Sequence, residues 1–222
     1  MFPVGSYDDL INRAVPQHEG LSREMPTTLG ILVGDIRQAF CREYILGYAK
    51  QFDDLSGRNI NIYVPGYCSE AGMQLMREKG GYDEIYKPSY NIHEKNYFFS
   101  DDFFIDFIGK LKENHGIMYE GQAELILFEV INGQIAWNKR LRLKIEQWEK
   151  KHQIDSAYKF LIEILDSAKR HVNIGDMSKE HRAKAFKKSI HDIIKNKLPE
   201  SIAKINDNDE LYRLENWFDG IF

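Results

Sequence analysis

The chain has 222 residues, 43% of them apolar and 29% charged, with a net charge of −4. That is material for one large globular domain, or one domain plus an appendage. It excludes a global electrostatic field favouring nucleic acid or anionic membrane. Cys41 and Cys68 are the only cysteines and no Cys-x-x-Cys occurs, so a disulfide framework is excluded and a reducing compartment is expected. No apolar run approaches the ~20 residues that span a bilayer. Met1–Leu10 lacks the basic and apolar regions of a signal peptide, so a cytoplasmic protein is expected.

Residues 1–25 are polar, with Pro3 and Pro16, and read as an N-terminal arm outside the core. The first strong signal is Leu29–Val33, a short apolar run closed by Gly34, which predicts a buried strand. Asp35 then suits a helix N-cap, because its carboxylate can accept free N–H groups of the next turn. Ile36, Phe40, Tyr44, Ile45, Tyr48 and Phe52 follow at helical spacing. Ile60, Ile62 and Val64 alternate as a second strand, stopped by Pro65-Gly66. Strand–helix–strand implies a parallel pair.

Residues 66–99 read as an insertion. Ser69–Lys79 suits a short helix, and the stretch after it is aromatic and irregular. Ser100-Asp101-Asp102 caps a helix carrying Phe103, Phe104, Phe107, Ile108 and Leu111. Glu124–Ile131 is the best strand in the chain. Asn132-Gly133 joins it to Gln134–Arg140, the strongest short hairpin signal, since a type I′ turn needs φ > 0 at both centres. The pattern is helical from about Leu141 to Lys151. Further helices are predicted over 156–171, over 178–197 behind Ser178, and over 210–218.

The order from 29 to 151 is strand, helix, strand, helix, strand, strand, helix, with the last two strands a hairpin. That order resembles the thioredoxin-like fold, over just over half the chain. The expected architecture is therefore α/β: a thioredoxin-like or related three-layer mixed sheet (βαβ plus β-hairpin) over 26–151, then an all-helical C-terminal region over 152–222. The redox families place Cys-x-x-Cys after the first strand, where this chain has Gly34-Asp35-Ile36-Arg37. They place a cis-proline before the third strand, where it has Gly121-Gln122-Ala123. Thiol–disulfide exchange is contradicted by both positions, and fold alone names no other activity.

The candidate site is the C-terminal edge of the parallel strands, where open sheets bind ligands. On a helical wheel Arg37 projects in front of the apolar stripe centred near Tyr44 and Tyr48. It cannot be buried there without a partner. Arg37 could hold a phosphate or carboxylate through two parallel hydrogen bonds, or Asp35 could be a cap and Arg37 its ion-pair partner. Tyr67, Cys68, Ser69 and Glu70 should reach the same edge. Glu70 would be a general acid or base, or a first-turn carboxylate behind a Ser69 cap. The tentative catalytic set is thus Asp35, Arg37 and Glu70. The binding set is Arg37, Tyr67, Ser69, Tyr90 and His93, the last two from the aromatic, cation-bearing segment that could form a lid, stack bases or fill the core. Cys41 reads as a core thiol, while Cys68 is better placed for exposure. The histidines do not form a metal set, and no Walker loop, dinucleotide fingerprint or nucleophile elbow is present, so neither metal nor cofactor is expected. Glu124 and Glu129 fall on opposite strand faces and cannot act together.

Three functions follow as expectations. The first is a non-redox interaction or regulatory module working through a protein partner or homo-oligomer. Its contact would be the apolar C-terminus, with Leu214, Trp217, Phe218 and Phe222. The alternative is a hydrolase or transferase acting on a phosphorylated or nucleotide-like substrate; the bacterial-style, Lys/Ile/Asn-rich composition would suit a toxin or defence effector. The third is a nucleic-acid binder using the aromatic segment and the helix over 178–197. That helix holds seven Lys or Arg against two acidic residues from Lys179 to Lys197.

Overall fold

The structure, a computed structural model, describes residues 2–14, 27–35, 37–56, 60–72, 74, 90–92, 95–172, 177–200, 212–215 and 217. The first strand read from sequence is the centre of the fold. Strand β2 (Thr28–Val33) is buried at every position, as a strand covered on both faces must be. It pairs in parallel with β3 (Ile60–Pro65) and antiparallel with β7 (Glu124–Ile131). Strand β8 (Gln134–Leu143) returns beside β7 through Asn132-Gly133, whose φ values of 50° and 78° are the positive pair that the turn requires.

Both chain ends add to this sheet. At one edge β1 (Phe2–Val4) pairs in parallel with β3; at the other β9 (Tyr212–Glu215) pairs antiparallel with β8. The six-stranded order is β1-β3-β2-β7-β8-β9. Two expectations are thereby corrected. The N-terminal segment is not an arm: Val4 and Leu10 are fully buried, and α1 (Tyr7–Ala14) packs on α3 (Asp101–His115). Its sequence looks polar because a short amphipathic helix buries only Tyr7, Leu10 and Ala14. The C-terminal region is not all-helical either, since the stretch expected as a helix over 210–218 contains β9. Pairing with an open sheet edge overrides local propensity there.

Cover for the sheet comes from two groups of helices. Helices α1 and α3 contact each other. Helices α2 (Ala49–Ser56), α4 (Ile145–Lys150), α5 (Ala157–Val172) and α6 (Lys179–Lys197) form a second packed set. The caps read from sequence are present: Ser100 Oγ accepts from Phe103 N, and Ser178 Oγ accepts from His181 N. The helix expected from Leu141 is instead the end of β8, and α4 starts only at Ile145.

The segment 66–99 builds a second sheet in the order β4-β6-β5, from β4 (Tyr67–Ser69), β5 (Tyr90–Ile92) and β6 (Lys95–Phe99), all antiparallel. Phe99 and Tyr67 tie it to the main core. Tyr82 and Tyr86 lie outside the described residues.

Strand β8 carries one irregularity. Its pairing jumps from Glu129↔Ala136 to Phe128↔Arg140, so Trp137, Asn138 and Lys139 bulge out without a partner on β7. The bulge lays Trp137 on His115, with ring centroids 3.7 Å apart and 11° between planes. The His115 ring also meets the Tyr7 hydroxyl at 2.5 Å. Helix α1, α3 and β8 are thereby joined at one aromatic cluster.

Candidate functional site

The strand-end turn after β2 is shaped by close packing. A Cβ on Gly34 would lie 2.7 Å from the Cys41 Sγ, so only glycine lets the following segment sit this close to the sheet. That segment is not the regular helix the spacing predicts. A π-helical turn over Cys41–Ile45 and a 3₁₀ turn over Leu46–Tyr48 precede α2. The wider turn shifts the buried face by about one residue. Cys41, Ile45, Ala49, Phe52 and Ser56 therefore point inward, while Tyr48 is 39% exposed and rests against the Tyr158 ring.

Asp35 and Arg37 are clasped together. The Arg37 backbone N–H donates to Asp35 Oδ1 at 2.9 Å, and the guanidinium donates to both carboxylate oxygens, at 2.9 and 3.0 Å from Nε and 2.6 Å from Nη2. Arg37 Nη1 lies 3.4 Å from Asp101 Oδ2 at the start of α3. The Asp35 side chain is 13% exposed and that of Arg37 61%. The side-chain hydrogen bonds from Arg37 hold the Asp35 carboxyl below its ordinary pKa, against the opposing effect of burial. Of the two arrangements considered for these residues the Asp35–Arg37 ion pair is present, but Asp35 caps no regular helix: among the described residues the only backbone N–H its carboxylate accepts is that of Arg37, and the π-helical turn starts at Cys41 without a side-chain cap.

Around the clasp the turn is locked further. Gln38 donates to the Gly121 carbonyl at 2.8 Å, which ties it to the loop before β7. Burial raises the Tyr119 hydroxyl pKa well above its usual value; Cys41 adds to the rise and the backbone hydrogen bond with Asp35 opposes it. Glu146, 2% exposed, accepts from the Ala123 N–H at 2.6 Å and pairs with Lys150 at 2.7 Å.

Neither thiol is poised for chemistry. Burial, helped by Glu146 and Asp35, pushes the Cys41 thiol up to about 12, and burial pushes Cys68 up to about 11. The exposure expected for Cys68 is corrected: it is 8% exposed, and its Sγ lies 3.6 Å from the Phe98 carbonyl, because β4 is covered by β6.

The remaining expected site residues are not gathered around the clasp. Glu70 is exposed and neither hydrogen bond nor ion pair joins it to Asp35 or Arg37. Ser69 is exposed and its Oγ accepts from Gly72 N at 3.4 Å, a cap-like contact. Tyr67 is 2% exposed, packed edge-on against Phe99 at 5.3 Å, so it fills core rather than lining an open cleft. Tyr90 lies on β5, and its side chain and His93 fall outside the described residues. Among the described residues no group of His, Cys, Asp and Glu could hold a metal, and no helix is long and apolar enough to cross a membrane.

Two buried clusters were missed in the sequence. Glu124 and Arg142 form a two-pronged ion pair, at 2.9 Å from Nε and 2.7 Å from Nη2, with side chains only 5% and 8% exposed. Glu129, on the other face of β7, pairs with Lys187 of α6 and with Lys139 at 3.4 Å. Lys187 Nζ also lies 5.2 Å over the Trp217 ring, and Trp217 is fully buried. The one available signal was a basic residue at a strand or helix position that the apolar period would bury. Leu214 lies in β9, and Phe218 and Phe222 fall outside the described residues.

The fold and its strand-end clasp define a mixed α/β protein with a six-stranded mixed sheet. Comparison with known proteins adds no relative: no family model, curated protein or solved structure matches the chain.

Proposed function

We propose that this chain is a non-redox interaction or regulatory module of thioredoxin-like layout, acting through a protein partner or a second copy of itself. The parallel β2–β3 pair and the β7–β8 hairpin agree with that layout. One observation carries the functional reading. At the position where a redox pair would stand, Asp35 and Arg37 neutralise each other, and Glu70 does not join them. A site for hydrolysis or group transfer needs a charge left over for the substrate. Here the guanidinium is engaged on both sides by carboxylates.

Light scattering on the purified chain tests the reading, together with capture from native lysate by tagged wild type and by an Arg37→Ala variant. The expected result is a stable assembly, larger than the 26.0 kDa chain, of two copies or of the chain with a defined partner. A monodisperse monomer that recovers no partner overturns it. So does phosphate- or nucleotide-induced thermal stabilisation that Arg37→Ala abolishes, which would favour the enzyme.

A further inference from the structure

Helix α6 buries Phe186, Lys187, Ile190 and Ile194 against the protein. Its opposite face is exposed and carries His181, Lys184, Lys188, Asp192 and Lys195. At about 100° per residue these five lie within a sector of about 80°, centred opposite Ile190. From residue 181 to residue 195 the stripe is about 21 Å long at ~1.5 Å per residue. Lys184 is paired with Glu180 on its own helix, at 3.0 Å. Among the described residues no carboxylate pairs with Lys188 or Lys195. Of the seven Lys or Arg that α6 holds against two acidic residues, three stand in this line, while Lys187, one position from Lys188, is consumed internally by Glu129 and Trp217.

We infer that this stripe is a docking surface for an acidic helical segment of a protein partner. The inference rests on the interaction-module reading and gives the partner its chemistry. Charge complementarity selects an anion, and the spacing selects its form. Lys184 and Lys188 are one turn apart, about 6 Å along the axis, the interval at which a helix repeats carboxylates placed at i and i+4. A polynucleotide fits less well. It carries a charge every ~1.7 Å of duplex, far denser than three lysines spread along about 21 Å of helix. The stripe holds no Phe, Tyr or Trp ring on which a base could stack, only the His181 imidazole.

The test is a fluorescence-anisotropy titration of the full chain with a labelled Ala-rich helical peptide bearing Glu at every fourth position, and with a duplex DNA oligonucleotide. The peptide should bind, more weakly as salt rises. The triple variant Lys184→Glu, Lys188→Glu, Lys195→Glu should lose at least about tenfold in affinity, because each reversal replaces an attraction by a repulsion at an exposed site. A matched reversal at the exposed Lys50, Lys112 and Lys151 should leave it within about twofold. All six are solvent-facing, and equal melting temperatures verify folding. Absence of peptide binding, equal loss in the two triple variants, or tighter binding of the duplex than of the peptide overturns the inference. Light scattering on the Lys184/Lys188/Lys195 variant separates the two proposals. If the variant assembles as wild type does and binds the peptide as tightly as wild type, the docking surface is wrong and the interaction-module reading stands.

Discussion

The chain holds two arginine–carboxylate clasps of nearly the same geometry in opposite environments. Asp35–Arg37 closes over two residues at a strand end, with the guanidinium largely in water. Glu124–Arg142 closes across β7 and β8, with both side chains nearly dry. The contrast teaches that hydrogen-bond geometry does not measure what a pair contributes. Water screens the first pair, so its removal changes little. In the second, Arg142 also donates to the Met118 carbonyl at 2.8 Å, and loss of either charge strands the other in the interior. The second pair ties the loop before β7 to the sheet.

The largest expected effect breaks the buried clasp. Arg142→Met should destabilise the chain by about 3–5 kcal/mol in urea unfolding, because Glu124 is left buried and unpaired. Adding Glu124→Leu should recover most of that loss. If the single variant unfolds at the wild-type urea concentration, the pair is wetter than its burial indicates. A smaller effect tests the seat of the exposed clasp. Gly34→Ala should cost about 1–3 kcal/mol through overpacking against Cys41. Cys41→Ala in the same chain should relieve it, and equal melting of the single and double variants would mean that the π-helical turn simply shifts away.

The smallest effect is at the exposed clasp itself. Arg37→Ala should lower stability by under about 1 kcal/mol. It should also change the acid limb of the stability curve. Arg37 depresses the Asp35 pKa below its ordinary 3.8. The unfolded chain therefore binds the proton first, and the contribution of the pair is complete above that ordinary value. It is lost as the pH falls through the lower folded value. Thermal melts on the acid side should show wild type losing its advantage over Arg37→Ala. A difference between the two that stays constant across that range would show that the carboxylate is not held by Arg37.

Much of the sheet was legible in the amino-acid order. Apolar runs, the Asn132-Gly133 turn and the Ser100 and Ser178 caps act through neighbours in the chain, so local chemistry reveals them. Asp35 and Arg37 were legible as a pair for the same reason: a single residue, Ile36, separates them. Less legible were the elements whose stability comes from distant partners. Strand β1, only three residues long, exists because β3 offers it an edge, and β9 exists because β8 does. The face of the segment after Arg37 was misplaced because a π turn changes the period, and no single residue announces it.

The sequence by itself determined that this protein is a mixed α/β molecule without a redox pair, because absence of a motif and short-range periodicity need no third dimension. Tertiary structure alone decided which charges are spent. Packing brings Glu124 and Glu129 against Arg142 and Lys187. Lys188 and Lys195 remain in water on the outer face of α6. Burial makes a charge demand a partner, and burial is a property of the assembled chain, not of its order.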